Sequence, residues 1–353
     1  MTNRRTPAHT QTSRARLPRK LLLTGLFAGL AVTLAACGGG GGGKRSIVLY
    51  NGQHPELTTA LISEFEKETG ITVRERTNDT VVLANQILDE GHNTPADVYL
   101  SENSPELMTL EQHGLLAKLG SATLDQVRPA DESPTGRWVG VALRVSSLVY
   151  NPRLIARSEL PASILDLAKP RWKGKVGISP ADSDFPPVVG AILAKDGTKA
   201  ATAWLAAMRG NAQTYDDEEA VVAAVNRGAV ATGIINQYYW YRLRLELGTK
   251  GIHSALYYFP GNDPGSVVNI SGAAVLASSK DQPDAKRFVQ FLVSKRAQEI
   301  LTHGDDFEYP ARPGIAQNPA EPPLDRIAHT SIAVTSLGND VTAATLIERS
   351  GLG

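Results

Sequence analysis

The sequence predicts an α/β protein of mainly parallel strands layered with helices and divided into two domains. Three observations predict it. Short apolar runs alternate with helical patterns from Ser46 onward, the order that builds parallel sheets covered by helices. A chain of 353 residues exceeds what one hydrophobic core supports and divides comfortably into two domains. Hydrophobic residues make up 42% of it, the share of a soluble globular chain.

The elements follow in order. Ile47 to Tyr50 reads as a strand. Pro55 opens a helix, where its fixed φ suits the first turn, and Leu57, Leu61, Ile62 and Phe65 keep helical spacing. Gly70 ends that helix and Ile71-Thr72-Val73 begins the next strand. Ala84, Ile87 and Leu88 mark a second helix, and Ala96 to Leu100 another strand. Glu106 to His113 is helical, closed by Gly114 as a C-cap. Trp138 to Tyr150, rich in Val and Leu, reads as extended. Lys175 to Ile178 is a short strand before a polar, proline-bearing loop. Ala200 to Met208 and Glu219 to Arg227 are helical, and Ala229 to Ile235 and Ile270 to Leu276 are strands. Pro283 to Leu301 reads as one long amphipathic helix, and no internal repeat is present.

The first 45 residues are of a different kind. Arg4, Arg5, Arg14, Arg16, Arg19 and Lys20 load the start with positive charge and no acid. An apolar run of 16 residues, Leu21 to Ala36, follows and ends in small residues. That is the pattern of a secretory signal over residues 1–36, and it is shorter than the roughly 20 residues a spanning helix needs. Cys37 is the only cysteine, so no internal disulfide forms. Leu34-Ala35-Ala36-Cys37 resembles a bacterial lipobox, which makes Cys37 a lipidation site; the alternative is an ordinary cleavage site beside a cysteine. Six glycines, Gly38 to Gly43, supply a flexible tether through residue 45. Basic and acidic residues balance at 36 each, which excludes the basic excess of a nucleic-acid-binding surface.

Four polar segments fall at or just past the carboxyl ends of expected strands: His54, Glu102, the pair Tyr238-Tyr239, and Ser179 to Ser183. Ligands of open parallel sheets gather there. Phenolate, carboxylate and imidazole together form a hard, anionic donor set suited to a trivalent cation, and the lack of thiols argues against zinc or copper(I). An isolated Tyr-Tyr pair more commonly packs with its hydroxyls satisfied. Likewise His54 alone fits a helix entry and Glu102 alone fits a solvated loop. Tyr50, Tyr99 and Tyr241 read as packing residues.

Several segments resemble the bacterial ferric-ion-binding proteins, the substrate-binding subunits of iron ABC transporters. They are Ile47 to His54, Thr94 to Glu102, Asn236-Gln237-Tyr238-Tyr239-Trp240, Asp263 to Val275, and Phe307-Glu308-Tyr309-Pro310. The resemblance runs from about Ser46 to the C-terminus. It implies a two-lobed periplasmic-binding fold like a transferrin lobe, hinged on crossing strands. Lobe 1 would comprise residues 46–145 and 270–320, and lobe 2 residues 146–269 and 321–353. It also implies that His54 and Glu102 from lobe 1 and Tyr238 and Tyr239 from lobe 2 bind Fe(III). An ABC permease with its ATPase would be the partners of a monomer, held outside the cytoplasmic membrane through a lipid anchor alone. No reaction is expected.

The ligand chemistry agrees. A tyrosine pKa near 10 leaves the phenol protonated at neutral pH, and a trivalent cation displaces that proton, so binding should weaken in acid. Two phenolates and one carboxylate balance Fe(III), with neutral His54 as a fourth donor. The resemblance breaks where a synergistic phosphate or carbonate is expected. The anion loop reads Pro180-Ala181-Asp182-Ser183-Asp184-Phe185, and Asp216-Asp217-Glu218-Glu219 stands where an asparagine is expected. Asn103, Ser183 and Asn236 remain as polar groups near the site, and Arg144 is positioned to offset charge or pair with Glu102. An ionised carboxylate accepts hydrogen bonds and cannot donate them, so phosphate synergy should be weak or absent. The remaining coordination sites would then hold water, a smaller anion, or a carboxylate such as Asp182 or Asp184; alternatively both aspartates would face solvent and cap the next helix.

Three other functions remain open on the sequence. One is a binding protein of the same fold for a polyamine, phosphonate or sulfate. Another is a metal-dependent hydrolase, for which no His-x-x-x-His pair, nucleophile elbow or phosphate loop is present. The third is a tethered sensor or surface interaction protein.

Overall fold

A computed structural model describes residues 45–327, 332–338 and 341–353. The secretory segment, Cys37 and the glycine tether lie outside the described residues. Strands β1 (Ser46–Asn51), β2 (Thr72–Thr77) and β3 (Val98–Ser101) alternate with helices α1 (Pro55–Thr69), α2 (Thr80–Glu90) and α3 (Ser104–Gln112). A short helix α4 (Ser121–Leu124) precedes the long strand β4 (Trp138–Tyr150). Then come β5 (Val176–Ile178), α5 (Phe185–Asn211), β6 (Ala212–Thr214), α6 (Glu218–Arg227), β7 (Thr232–Asn236), α7 (Gln237–Gly251) and β8 (Ala255–Tyr257). The chain closes with β9 (Val268–Val275), α8 (Gln282–Leu292), α9 (Lys295–His303), β10 (Tyr309–Pro310), α10 (Leu324–Ile327) and α11 (Val341–Ser350).

All strands among the described residues join one sheet, ordered β2-β1-β3-β9-β4-β7-β5-β6, with β8 and β10 also on β4. Its two ends are parallel, as expected: β1 pairs with β2 and β3, and β5 with β6 and β7. The middle is antiparallel, which the sequence reading did not foresee. β9 runs against β3 and against Trp138 to Val145 of β4, and the rest of β4, Ser146 to Tyr150, runs against β7. β4 is therefore one strand shared by two halves of the sheet, and β9 returns the chain to the first half.

Each half has its own core. In β3, Val98 and Leu100 pack with Phe65 and Phe288 on one face, while Tyr99 packs with Leu107 and Trp138 on the other. This alternation shows a strand covered on both faces. In the second half Ile178, Trp172 and Trp204 gather on one side, and Val149, Val221 and Ile235 on the other. Ala343 and Ile347 of α11 join the Trp204 cluster.

Two helical expectations change. The expected helix from Pro283 to Leu301 is two helices, because Ser294 leaves helical geometry and its hydroxyl caps Ala297 N. The loop before Ala200 is shorter than expected: α5 begins at Phe185 and runs on, interrupted at Gly197, where φ is +81°.

Candidate metal centre

The centre assembles where strands end. His54 stands three residues past β1, at the N-cap position of α1, and makes no capping bond. Its imidazole is therefore free to turn inward, and its backbone N–H donates to Gln53 Oε1 at 2.7 Å. Glu102 directly follows β3, and Tyr238 and Tyr239 sit in the first turn of α7, just after β7. Asp184 lies between β5 and α5. The helix α7 that carries the tyrosine pair is not among the elements expected from the sequence.

These side chains converge. Tyr238 Oη donates to Glu102 Oε1 at 3.1 Å and to Asp184 Oδ2 at 2.9 Å, and Tyr239 Oη reaches the same Asp184 oxygen at 3.3 Å. His54 Nε2 is 3.4 Å from Glu102 Oε1. The two phenol rings lie 4.1 Å apart between centroids, and the His54 ring stands edge-on to Tyr238 at 5.2 Å. Arg144, on β4, is fully buried and touches three carboxylates: Glu102 at 2.8 Å, Glu308 at 2.7 Å and Asp184 at 3.4 Å.

The solvent-facing alternative for Asp184 is overturned. Asp184 is 2% exposed and its side chain makes no capping bond to α5. Asp182 makes the local turn instead, accepting from Asp184 N at 3.1 Å and from Glu218 N at 3.0 Å. That leaves the Asp184 carboxylate to face the phenols and Arg144. Asn103 donates to Ser183 O at 3.2 Å and to Ser183 Oγ at 3.3 Å, so these two hold one another. Asn236 anchors through its backbone N–H to Glu218 Oε2 at 2.6 Å, and its side chain helps hold down the pKa of Asp184, which burial raises.

Residues that the sequence reading missed complete the surroundings. Glu308, wholly buried, holds Arg144 and accepts from Gln53 Nε2 at 3.2 Å. Asp306 and Glu308 stand 3.7 and 3.8 Å from His54 Nδ1, a buried nitrogen without a hydrogen bond. Gln53 and Glu308 lie inside the quoted motifs, and that was the signal that pointed toward them.

The electrostatics follow from burial. Burial, then the positive fields of Arg144 and Arg242, pull the His54 imidazole down to about 3. It is thus neutral at physiological pH, the state that donates to a metal. Burial and then Asp184 push both phenols well above their ordinary range. Burial and neighbouring carboxylates raise Asp182, Asp184 and Glu218, and Glu308 is raised to about 7. Burial opposes the charge of Arg144, but Glu308, Tyr238, Glu102 and Asp184 outweigh it and keep the guanidinium cationic. The metal-free site thus stores protons that a strong cation can displace. Among the described residues no three His, Cys, Asp or Glu side chains are grouped to hold a metal ion by themselves.

Two α/β halves sharing strands, with polar side chains from both meeting where strands end, have the architecture of a two-lobed solute-binding protein. The model of the bacterial extracellular solute-binding protein family matches residues 93–331. The Fe(3+)-binding periplasmic protein of Serratia marcescens is 41% identical over 308 residues, 87% of this chain and 91% of that protein. The major ferric iron-binding protein of Neisseria meningitidis serogroup B is 34% identical over 87% of this chain and 93% of its own. Iron-bound HitA from Pseudomonas aeruginosa superimposes with a TM-score of 0.84 at 37% identity, covering 87% of this chain and all of that one. The chain belongs to this solute-binding family, among its ferric-ion-binding proteins, and has their two-lobed fold.

Proposed function

We propose that this protein captures Fe(III) in the cleft between its lobes and delivers it to an ABC permease and ATPase, itself catalysing nothing. His54, Glu102, Tyr238 and Tyr239 are the metal ligands in this reading. One observation carries it: Tyr238 bonds Glu102 from the first half of the sheet and Asp184 from the second, so one small volume gathers the whole donor set.

Asp184 is the fifth ligand in this account. Two phenolates, Glu102 and Asp184 supply four negative charges, and Arg144 returns one positive charge. With Glu308, the other partner of Arg144, raised to about 7 and so part-protonated, the charge facing the phenols is close to that of Fe(III), and Asp184 takes the place of an added phosphate or carbonate in this account. Divalent cations gain less from so charged an oxygen set.

Cys37 would carry the lipid anchor, with the glycine tether holding the monomer at the outer face of the cytoplasmic membrane. Among the described residues no helix is long and apolar enough to cross a membrane.

A panel of ligands tests the reading through thermal unfolding, because whatever binds the folded state raises its Tm. Ferric nitrilotriacetate is expected to raise Tm by several degrees, whereas spermidine, sulfate and a phosphonate leave it unchanged. A shift with one of those three and none with iron would replace this reading with the same fold serving another solute.

A further inference from the structure

We infer that Gln237 is a positioning residue for the ferric site, acting as a clasp between the tyrosine pair, the shared strand and the Asp306-Phe307-Glu308 segment. The inference rests on the ferric-binding reading. Gln237 is wholly buried and directly precedes Tyr238. Its Oε1 accepts from Val145 N at 2.7 Å. Val145 is the last residue of β4 paired with β9, and Ser146 is the first paired with β7. The start of α7 is thereby tied to the point where β4 passes between the two halves.

The other end of the same amide reaches elsewhere. Gln237 Nε2 donates to Phe307 O at 2.9 Å, with Glu321 Oε1 at 3.4 Å. Phe307 is the only residue other than glycine with positive φ among the described residues, at +54°. A side chain disfavours that conformation, and it persists where surrounding contacts impose it. Two contacts do so here. Gln237 holds the carbonyl, and the Phe307 ring stacks on Tyr241 at 5.5 Å.

The backbone turn at Phe307 aims its two neighbours. Asp306 stands 3.7 Å from His54 Nδ1, and Glu308 binds Arg144 at 2.7 Å and Gln53 at 3.2 Å. Arg144 in turn holds Glu102 and Asp184. One amide therefore fixes Tyr238 relative to the shared strand and, through Phe307, the groups that orient His54 and Glu102. It touches no ligand atom itself.

The test is ferric affinity, read by competition with nitrilotriacetate, with the visible tyrosinate-to-iron band recorded on each sample. Gln237→Met is expected to weaken binding about 10- to 100-fold, the usual cost of losing an orienting partner, while the band persists because both phenols remain. Glycine adopts positive φ freely, so Gln237→Met/Phe307→Gly should recover much of that loss. In the otherwise native chain Phe307→Gly should bind iron more tightly than Phe307→Ala, since the two differ only in the backbone penalty. This pair decides the question if Gln237→Met does not fold. Affinity of Gln237→Met equal to that of the native protein would overturn the inference, as would equal affinities for the Ala and Gly variants. Native protein that binds no ferric iron would instead overturn the functional reading beneath it.

Discussion

Asp184 Oδ2 accepts the hydroxyl of Tyr238 at 2.9 Å, and the same carboxylate is fully enclosed by the protein. The chain thus places a carboxylate of its own directly against the phenols. An external phosphate would enter a volume already holding Asp184, with Asp182 and Glu218 next to it.

The first expected outcome concerns that anion. Ferric affinity of the native protein should change by less than about threefold, under 1 kcal/mol, when phosphate is added. Asp184→Asn should bind iron about 10- to 100-fold more weakly, in the range seen when groups around a metal are removed, and should then gain from phosphate. Equilibrium competition with and without phosphate measures both. A large phosphate gain in the native protein would show that Asp184 is not a ligand.

Arg144 carries the second. It is wholly buried against Glu102, Asp184 and Glu308. Removing one partner of a buried ionic group typically costs about 3–5 kcal/mol, and Arg144→Met should destabilise the metal-free protein by that order. Chemical denaturation checks the loss. It should shrink at lower pH, where the stranded carboxylates take up protons.

Stability against pH gives the third. Asp306 and Glu308 are raised by burial to about 6 and about 7 in the folded protein. A group with a raised folded pKa binds more protons in the native state, so its contribution is complete at low pH and is lost as pH rises through the folded value. Metal-free protein should therefore lose this contribution between about pH 4.5 and 7. His54 runs the other way: with its folded value near 3, its contribution is lost as pH falls from about 6.5 toward 3. Fe(III) reverses the carboxylate trend, because it binds the deprotonated ligands. The rise in Tm on adding iron should accordingly grow from pH 5 to pH 8. A rise that shrinks over that range would contradict the proton-displacement account.

Much of this was legible because the relevant signals are local. Apolar runs and the Pro55 and Gly70 punctuation give β1, α1 and β2 directly. The strand-end positions of His54, Glu102 and Tyr238 follow from those same runs. The antiparallel middle of the sheet was not legible, since nothing local in Trp138 to Tyr150 says that its two halves pair with different strands. Burial of Asp184 and Arg144 was hidden for a similar reason. Two aspartates in a polar loop read equally as candidate ligands or as solvated caps, and only the packing of that loop against Tyr238, Asn103 and Glu218 separates Asp184 from Asp182. Glu308 and Gln53 lay within the quoted motifs, but their shared contact spans 255 positions of chain.

The central claim is that the two phenols bind Fe(III) together, and visible absorption during a ferric titration tests it most directly. The native protein is expected to develop a tyrosinate-to-iron band that saturates at one equivalent. Tyr238→Phe and Tyr239→Phe should each weaken the band and lower affinity by more than about 100-fold, beyond the usual cost of losing an outer partner. A colourless ferric complex, or a band untouched by both substitutions, would contradict the account.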